Sequence, residues 1–443
     1  MRTTTLAAAL ATLGLALPPA PALGTDLEAR IAELERQLAA LKAAVAENAD
    51  DIGDGLQTVA VQAQEIDRAR PIARGTRFTY GGYVQLDAIS SSYREGKPPS
   101  LMDDLFVPAL IPVEPPQGSG DAHQSTNVHA KTSRFYFKTA TETDAGRIAS
   151  HVELDFLLSG QGDERVSSSF SARIRHAFLT WDYAADRSLL AGQYWSTFFN
   201  VAALPDQLDF VGPAGTIFER QPMIRWTGGP LQLALENAIT RVDLPEGGRR
   251  LDDSETIPDL IARYNGSSGG LDWSLAGILR QLSYAERDAA GAEVLSDERY
   301  GYGLSLSGRW MLGADDLRFM ASYGNALGRY LGLNAFNDGY IDADGDINTI
   351  EQWGAFLAYR HFWSERWRSS VTLSASGADN PTSADFATAE NLARAYRSVH
   401  VGLNYQPAAD LLLGGELIYA AKELQDGRDG DMLRLQLAAR YAF

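Results

Sequence analysis

The feature that most constrains the fold is a rhythm running from Arg77 to Phe443. Segments of about ten residues alternate apolar and polar side chains, and the connections between them alternate short and long. "FTYGGYVQLDA" sets Phe78, Tyr80, Val84 and Leu86 on one face, and Thr79, Tyr83, Gln85 and Asp87 on the other. Period-two alternation marks a strand with one apolar and one wet face. "SRFYFKT", "RIASHVELDFLL", "SARIRHAFLTW", "SLLAGQYWSTF" and "FERQPMIRW" continue it, and about sixteen such segments can be counted. Short connections include "ETDAG", "AADR", "TGGP", "GSSGG", "GADD", "SER" and "PAA". Long ones cover 93–131, 197–216, 242–256, 284–298, 326–351 and 377–395. An even strand number with loops segregated by length predicts a transmembrane antiparallel β-barrel of about 16 strands, with short periplasmic turns and long extracellular loops.

The apolar face of each strand would then meet lipid, with aromatics as girdles at its ends. Trp226, Tyr264, Trp273, Trp310, Tyr323, Trp353, Trp363, Trp367 and Tyr405 all fall near strand ends. The last segment, "MLRLQLAARYAF", alternates up to its final residue. In a barrel the last strand pairs with the first, which places Phe443 at the periplasmic interface. Lipid leaves no partner for unpaired backbone groups, so a chain without an apolar run long enough for a spanning helix must cross as a closed barrel.

The start of the chain follows other rules. "MRTTTLAAALATLGLALPPAPALG" has a charged start at Arg2, an apolar run from Leu6 to Leu17 and an Ala-Pro-Ala site at 20–22. This is the layout of a signal peptide (1–22), cleaved after Ala22. Leu27, Ile31, Leu34, Leu38, Leu41, Val45, Asn48 and Ile52 then step by fours and threes. Arg30, Glu35 and Lys42 flank this a/d seam, which predicts a self-associating α-helical coiled coil. The heptads do not fix the number of chains. The stalk and its linker occupy 25–75, and the barrel occupies 76–443.

Composition excludes several classes. A net charge of −18 argues against nucleic-acid binding, which wants a basic face. The absence of cysteine rules out thiolate metal sites and disulfides. "DADGDIN" (342–348) spaces Asp342, Asp344, Asp346 and Asn348 like calcium-loop ligands. It lacks glycine at the sixth position, which is Ile347, and an acid at the twelfth, which is Trp353. His123 and His129 share the first long loop without metal-site spacing, so no metal and no cofactor is expected. No phosphate loop or nucleophile elbow occurs, and neither His176 nor His400 has a serine tied to it by any pattern, so no enzyme is expected.

The order of parts resembles the DcaP-like trimeric porins. "GQYWSTF" (192–198), "PDQLDFVGPAG" (205–215), "RQPMIRW" (220–226) and "GRY" (328–330) sharpen the likeness, which runs over 27–443. The resemblance implies a homotrimer in the outer membrane of a Gram-negative bacterium, with the coiled coil in the periplasm. It implies diffusive uptake of small anionic solutes, dicarboxylates above all. A closing phenylalanine also resembles the signal by which such barrels are recognised for assembly.

In general porins the third extracellular loop folds inward. Here that loop is 197–216, with Asp206 and Asp209. The face opposite the lipid stripe carries Arg134, Lys138, Arg173, Arg175, Arg225, Arg263, Arg280, Arg309, Arg318, Arg360, Arg368, Arg434 and Arg440. It carries fewer acids, namely Asp87, Glu153, Asp155, Glu219, Glu236, Asp259 and Glu416. Arg309, Arg318, Arg360 and Arg368 are expected at the periplasmic rim. Arg134, Arg173, Arg175, Arg263, Arg280 and Arg434 are expected at mid-height, as an arginine ladder facing the loop. Arginine rings favour anions in pores, and the planar guanidinium fork suits carboxylates. The same arginines could instead pair with Glu153, Asp155 and Glu236. The alternative to a porin is a structural outer-membrane anchor whose stalk is the working part.

Overall fold

The computed structural model describes residues 35–37, 39 and 75–443, apart from 159–164, 166, 168, 253, 288–292 and 384–385. The expected signal peptide and nearly all of the expected coiled coil lie outside the described residues; residues 35–37 and 39 are helical. Two units divide near residue 74, and the second holds the strands. Among the described residues no helix is long and apolar enough to cross a membrane.

The strands close on themselves. β1 is Arg77–Tyr93; β2 has two parts, His123–His129 and Arg134–Thr143; β3 is Gly146–Asp155, β4 Arg173–Ala184, β5 Arg187–Trp195, β6 Arg220–Gly228 and β7 Leu231–Glu236. β8 is Asp259–Ser268, β9 Leu271–Arg287, β10 Glu293–Leu312 and β11 Asp315–Asn325. β12 is Glu351–Phe362, β13 Trp367–Asp379, β14 Ala393–Ala408, β15 Leu411–Leu424 and β16 Asp429–Ala442. Each pairs antiparallel with the next, and β16 pairs with β1 from Tyr83–Ala442 to Tyr93–Met432. Sixteen staves close without a free edge, which removes the unpaired backbone that an open sheet would expose.

The alternation carries through to the structure. Phe78, Tyr80, Val84 and Leu86 are exposed on the outer face, whereas Gln85 and Asp87 are buried within. Trp367 stacks on Tyr405 with ring centroids 4.5 Å apart, and Tyr264 lies 5.8 Å from Trp273, both pairs on the outer face near strand ends.

One expectation is corrected. Residues 123–129 do not belong to the first long loop but pair with Asp87–Tyr93, and a four-residue break separates them from the rest of β2. "HQSTNVH" is polar on both faces, so it carries no apolar stripe to read. Apart from the barrel strands, Thr240–Asp243, Arg249–Asp252, Gly339–Ile341 and Ile347–Thr349 form a separate four-stranded sheet from two long loops, packed on Leu282 and Tyr284 of β9. In it the acidic segment folds back on itself, with Asp342 Oδ1 accepting from the amides of Asp344 and Asp346.

Candidate channel interior

Residues 196–219, the third long loop, turn into the barrel between β5 and β6. The Thr197 amide donates to Glu236 Oε1 at 2.7 Å, and Asn200 caps a short 3-10 turn at 201–203. The segment then reaches the opposite wall. Leu204 O accepts from Arg318, Asp206 meets Arg360 and Arg368, and the Ser370 hydroxyl donates to Asp206 O. The amides of Leu208 and Asp209 both donate to Glu416 Oε2, those of Ala214 and Gly215 to Ser398 and Ser374. Gly215 passes so close to the wall that a Cβ there would sit 2.3 Å from Ala375 O. No other residue type fits.

Two more loops pack on this one. The Phe106 amide, from the first long loop, donates to Asp209 Oδ1 at 3.1 Å. From the sixth (326–350), Tyr330 O accepts from the Phe218 amide at 2.9 Å, and Tyr330 Oη donates to Asp259. Met102, Phe106, Phe198, Phe199, Tyr330 and Leu331 are buried between them, so the loops share an apolar core inside the barrel. Asp209 is buried as part of it; its oxygens take the amides of Phe106, Val211 and Gly212 rather than an arginine.

The six expected ladder arginines fall into three environments. Arg173 and Arg175 share Asp155 at 2.8 and 3.0 Å, Arg175 also holds Glu153 at 2.7 Å, and Arg134 lies 3.5 Å from Glu153. Loop residue Phe210 lies against the guanidinium groups of Arg173, Arg175 and Arg220. Arg263 instead ties down the start of the loop, through Phe199 O and Asn200 Oδ1. Arg280 and Arg434 are sealed from the lumen. Arg280 binds Asp259 and Asp338, the latter at 2.7 Å, and Arg434 binds Ser91, Tyr93 and Met102 O. Both hold loops in place, because a buried guanidinium needs partners on every side.

The four arginines expected as rim charges do more than sit at an interface. Arg309, Arg318 and Arg360 surround buried Asp316, while Arg360 and Arg368 share Asp206. Asp206 therefore pairs with this second cluster, and Glu236 is held by Thr197 and Gln221. Among the described residues, Arg220, Arg225, Arg263, Arg434 and Arg440 form no salt bridge; their contacts are carbonyls, amides, hydroxyls, sulfur and aromatic rings. Sequence reasoning missed Arg220 altogether, since at the head of β6 its position in the alternation points outward.

No metal was expected, yet His151, Glu153 and His176 bring ligand atoms within 4.8 Å of one another. The sequence signal was a same-face His-x-Glu pair on β3; the third member lies on the next strand.

A closed sixteen-stranded barrel with an apolar belt and an arginine-rich interior is an outer-membrane channel of the porin fold. More particularly, the chain belongs to the DcaP outer membrane protein family, whose model matches residues 26–443. The crystal structure of the outer membrane channel DcaP of Acinetobacter baumannii is similar with a TM-score of 0.66 at 20% identity, over 84% of this chain and 99% of that one. OmpT of Vibrio cholerae in its trimer form gives 0.50 at 11% identity, over 83% and 100%. At these identities the likeness is one of fold. No curated protein matches the sequence. The family is one of outer membrane proteins and its Acinetobacter neighbour is a channel; neither is an enzyme.

Proposed function

We propose that this chain is a diffusion porin admitting small anionic solutes, dicarboxylates favoured, through an arginine-lined lumen narrowed by the third long loop. The observation that carries this reading is the set of inward arginines that form no salt bridge among the described residues and are not sealed off, Arg220, Arg225, Arg263 and Arg440. In a low-dielectric tube their uncompensated charge focuses a positive potential, which concentrates anions and repels cations. Arg134, Arg173 and Arg175 on one wall, and Arg360 and Arg368 on the other, flank the path with guanidinium forks partly occupied by Glu153, Asp155 and Asp206. A solute carboxylate competes for these forks and is released again, as conduction requires. In this reading the chain works as a homotrimer in outer-membrane lipid, after loss of residues 1–22, with 25–75 as a periplasmic coiled coil.

Reversal potential across a salt gradient in a planar bilayer tests it. Anion preference is expected for the wild type, reduced in the R220S/R263S double variant. Cation preference would overturn the reading. Absence of any conductance would favour the alternative, an outer-membrane anchor serving the stalk.

A further inference from the structure

Strand β3 puts His151 and Glu153 two residues apart and hence on one face. Its pairing with β4 slips at this level, where Glu153 faces His176 but Leu154 faces Ile174. The extra residue is a β-bulge, and it turns both Arg175 and His176 into the barrel. Glu153 Oε2 then lies 3.7 Å from His151 Nε2, and Glu153 Oε1 lies 3.5 Å from His176 Nδ1. Neither ring nitrogen of His176 has a hydrogen-bond partner, nor has His151 Nε2, although His176 is only 5% exposed. Buried polar atoms left without partners are rare and costly, and a missing ion is one of the reasons for them.

We propose that His151, Glu153 and His176 bind a transition-metal dication of the Zn²⁺ or Cu²⁺ type. With bonds of about 2.1 Å, the ligand atoms of a tetrahedral ion sit about 3.4 Å apart. The His151 Nε2–Oε2 separation of 3.7 Å is close to this, His176 Nδ1 lies 3.5 Å from the neighbouring oxygen Oε1, and one ligand atom from each residue falls within 4.8 Å of the others. Arg175 occupies Glu153 Oε1 at 2.7 Å, and Arg134 Nη1 lies 3.5 Å from the same oxygen. Oε2 is left for the ion, with Arg175 as the outer partner that ligating carboxylates commonly have. Asp155 takes Arg173 and the second arm of Arg175, which moderates the positive charge nearby.

That positive charge selects the class of ion. Calcium and magnesium depend on several carboxylate or carbonyl oxygens, and here one carboxylate faces two imidazoles and at least two guanidiniums. Imidazole donors suit zinc, copper and nickel. His151 lines a cavity of about 260 Å³ bounded also by Arg77, Lys138, Arg147 and Phe178. It leaves room for water beside the His151 ring.

The test is calorimetric titration of tag-free, chelator-treated full-length protein with zinc chloride in detergent. One ion per chain at micromolar affinity is expected, weakened at least about 100-fold in both H151A and H176A, since each removes one of three ligands. Heat-modifiable gel mobility verifies that the variants fold. Copper EPR on the unmodified protein gives a readout independent of any variant, and nitrogen hyperfine structure from two imidazoles is expected. No saturable binding below millimolar zinc, affinity unchanged in both variants, or an oxygen-only copper spectrum would each overturn the assignment.

Discussion

Phe443 and Gly82 exchange both backbone hydrogen bonds, N–H to O in each direction at 3.1 Å, so the last residue of the chain locks onto the first strand. The ring stays exposed on the outer face, 6.0 Å from Phe135. A side chain at Gly82 would collide with the opposing strand, since a Cβ would lie 2.0 Å from Arg134 O.

Gly82→Ala is therefore expected to destabilise closure by about 1–3 kcal/mol, the usual cost of forcing atoms into a filled site. Urea unfolding followed by tryptophan fluorescence measures it. An unchanged midpoint would mean that the pairing of β1 with β2 accommodates the methyl group.

Glu416 anchors the third long loop by accepting from the Leu208 and Asp209 amides, and its other oxygen is hydrogen-bonded with His400 Nδ1 at 2.9 Å. Hydrogen bonds to a charged group contribute about 1.5–3 kcal/mol each. Glu416→Gln keeps the size and removes the charge. Faster hydrogen exchange at 204–212 and noisier single-channel currents are expected, while a wild-type exchange pattern there would show the loop is held by its apolar core alone.

The barrel was legible because lipid and lumen impose period two on every strand. Phe78, Tyr80, Val84 and Leu86 needed no partner to be read. What was illegible depends on long-range register. Arg280 looked like any inward arginine until Asp338, 58 residues away, closed over it. Arg434 is capped by Met102 O, 332 residues distant in sequence. The Arg175–His176 bulge breaks the alternation that sequence reading relies on, which hid His176 from its neighbours on β3. The burial of the third loop, in contrast, was hinted at by Phe198, Phe199 and Val211, too apolar for a loop in water.

Asp206 neutralises Arg360 and Arg368 from the loop side. Asp206→Asn leaves Arg368 without a carboxylate and Arg360 with Asp316 alone, and removes neither guanidinium. The reversal potential is expected to move further toward the anion's equilibrium potential. A move toward the cation's would mean that these arginines face away from the conducting path.

Asp243 lies in the small sheet formed by the long loops, not in a barrel strand. Burial pushes its carboxyl up from 3.8 to about 6, against the opposing pull of a hydrogen bond from Asn337 and the charge of Arg249. A raised folded-state value means that the fold favours the protonated form. The stabilisation is fully present below pH 3.8 and is lost as pH rises through about 6. Exchange protection of 240–252 and 339–349 is expected to fall between pH 4.5 and 7, and Asp243→Asn should flatten that change. The shift corresponds to roughly 2–3 kcal/mol as an order of magnitude.

Arg280 separates a structural charge from a conducting one. Its guanidinium holds Asp259 at 3.2 Å and Asp338 at 2.7 Å, with all three side chains fully buried. Removing one partner of such a set leaves unpaired charge in a site without water, at a cost of about 3–5 kcal/mol, whereas replacing the whole set is close to neutral. Arg280→Ala should thus lower the urea midpoint sharply, and the triple variant R280M/D259N/D338N should recover most of the loss. Its reversal potential should stay at the wild-type value, because a sealed charge balanced by two carboxylates adds little to the field along the pore. A triple variant that folds well but loses anion preference would place Arg280 on the solute path after all.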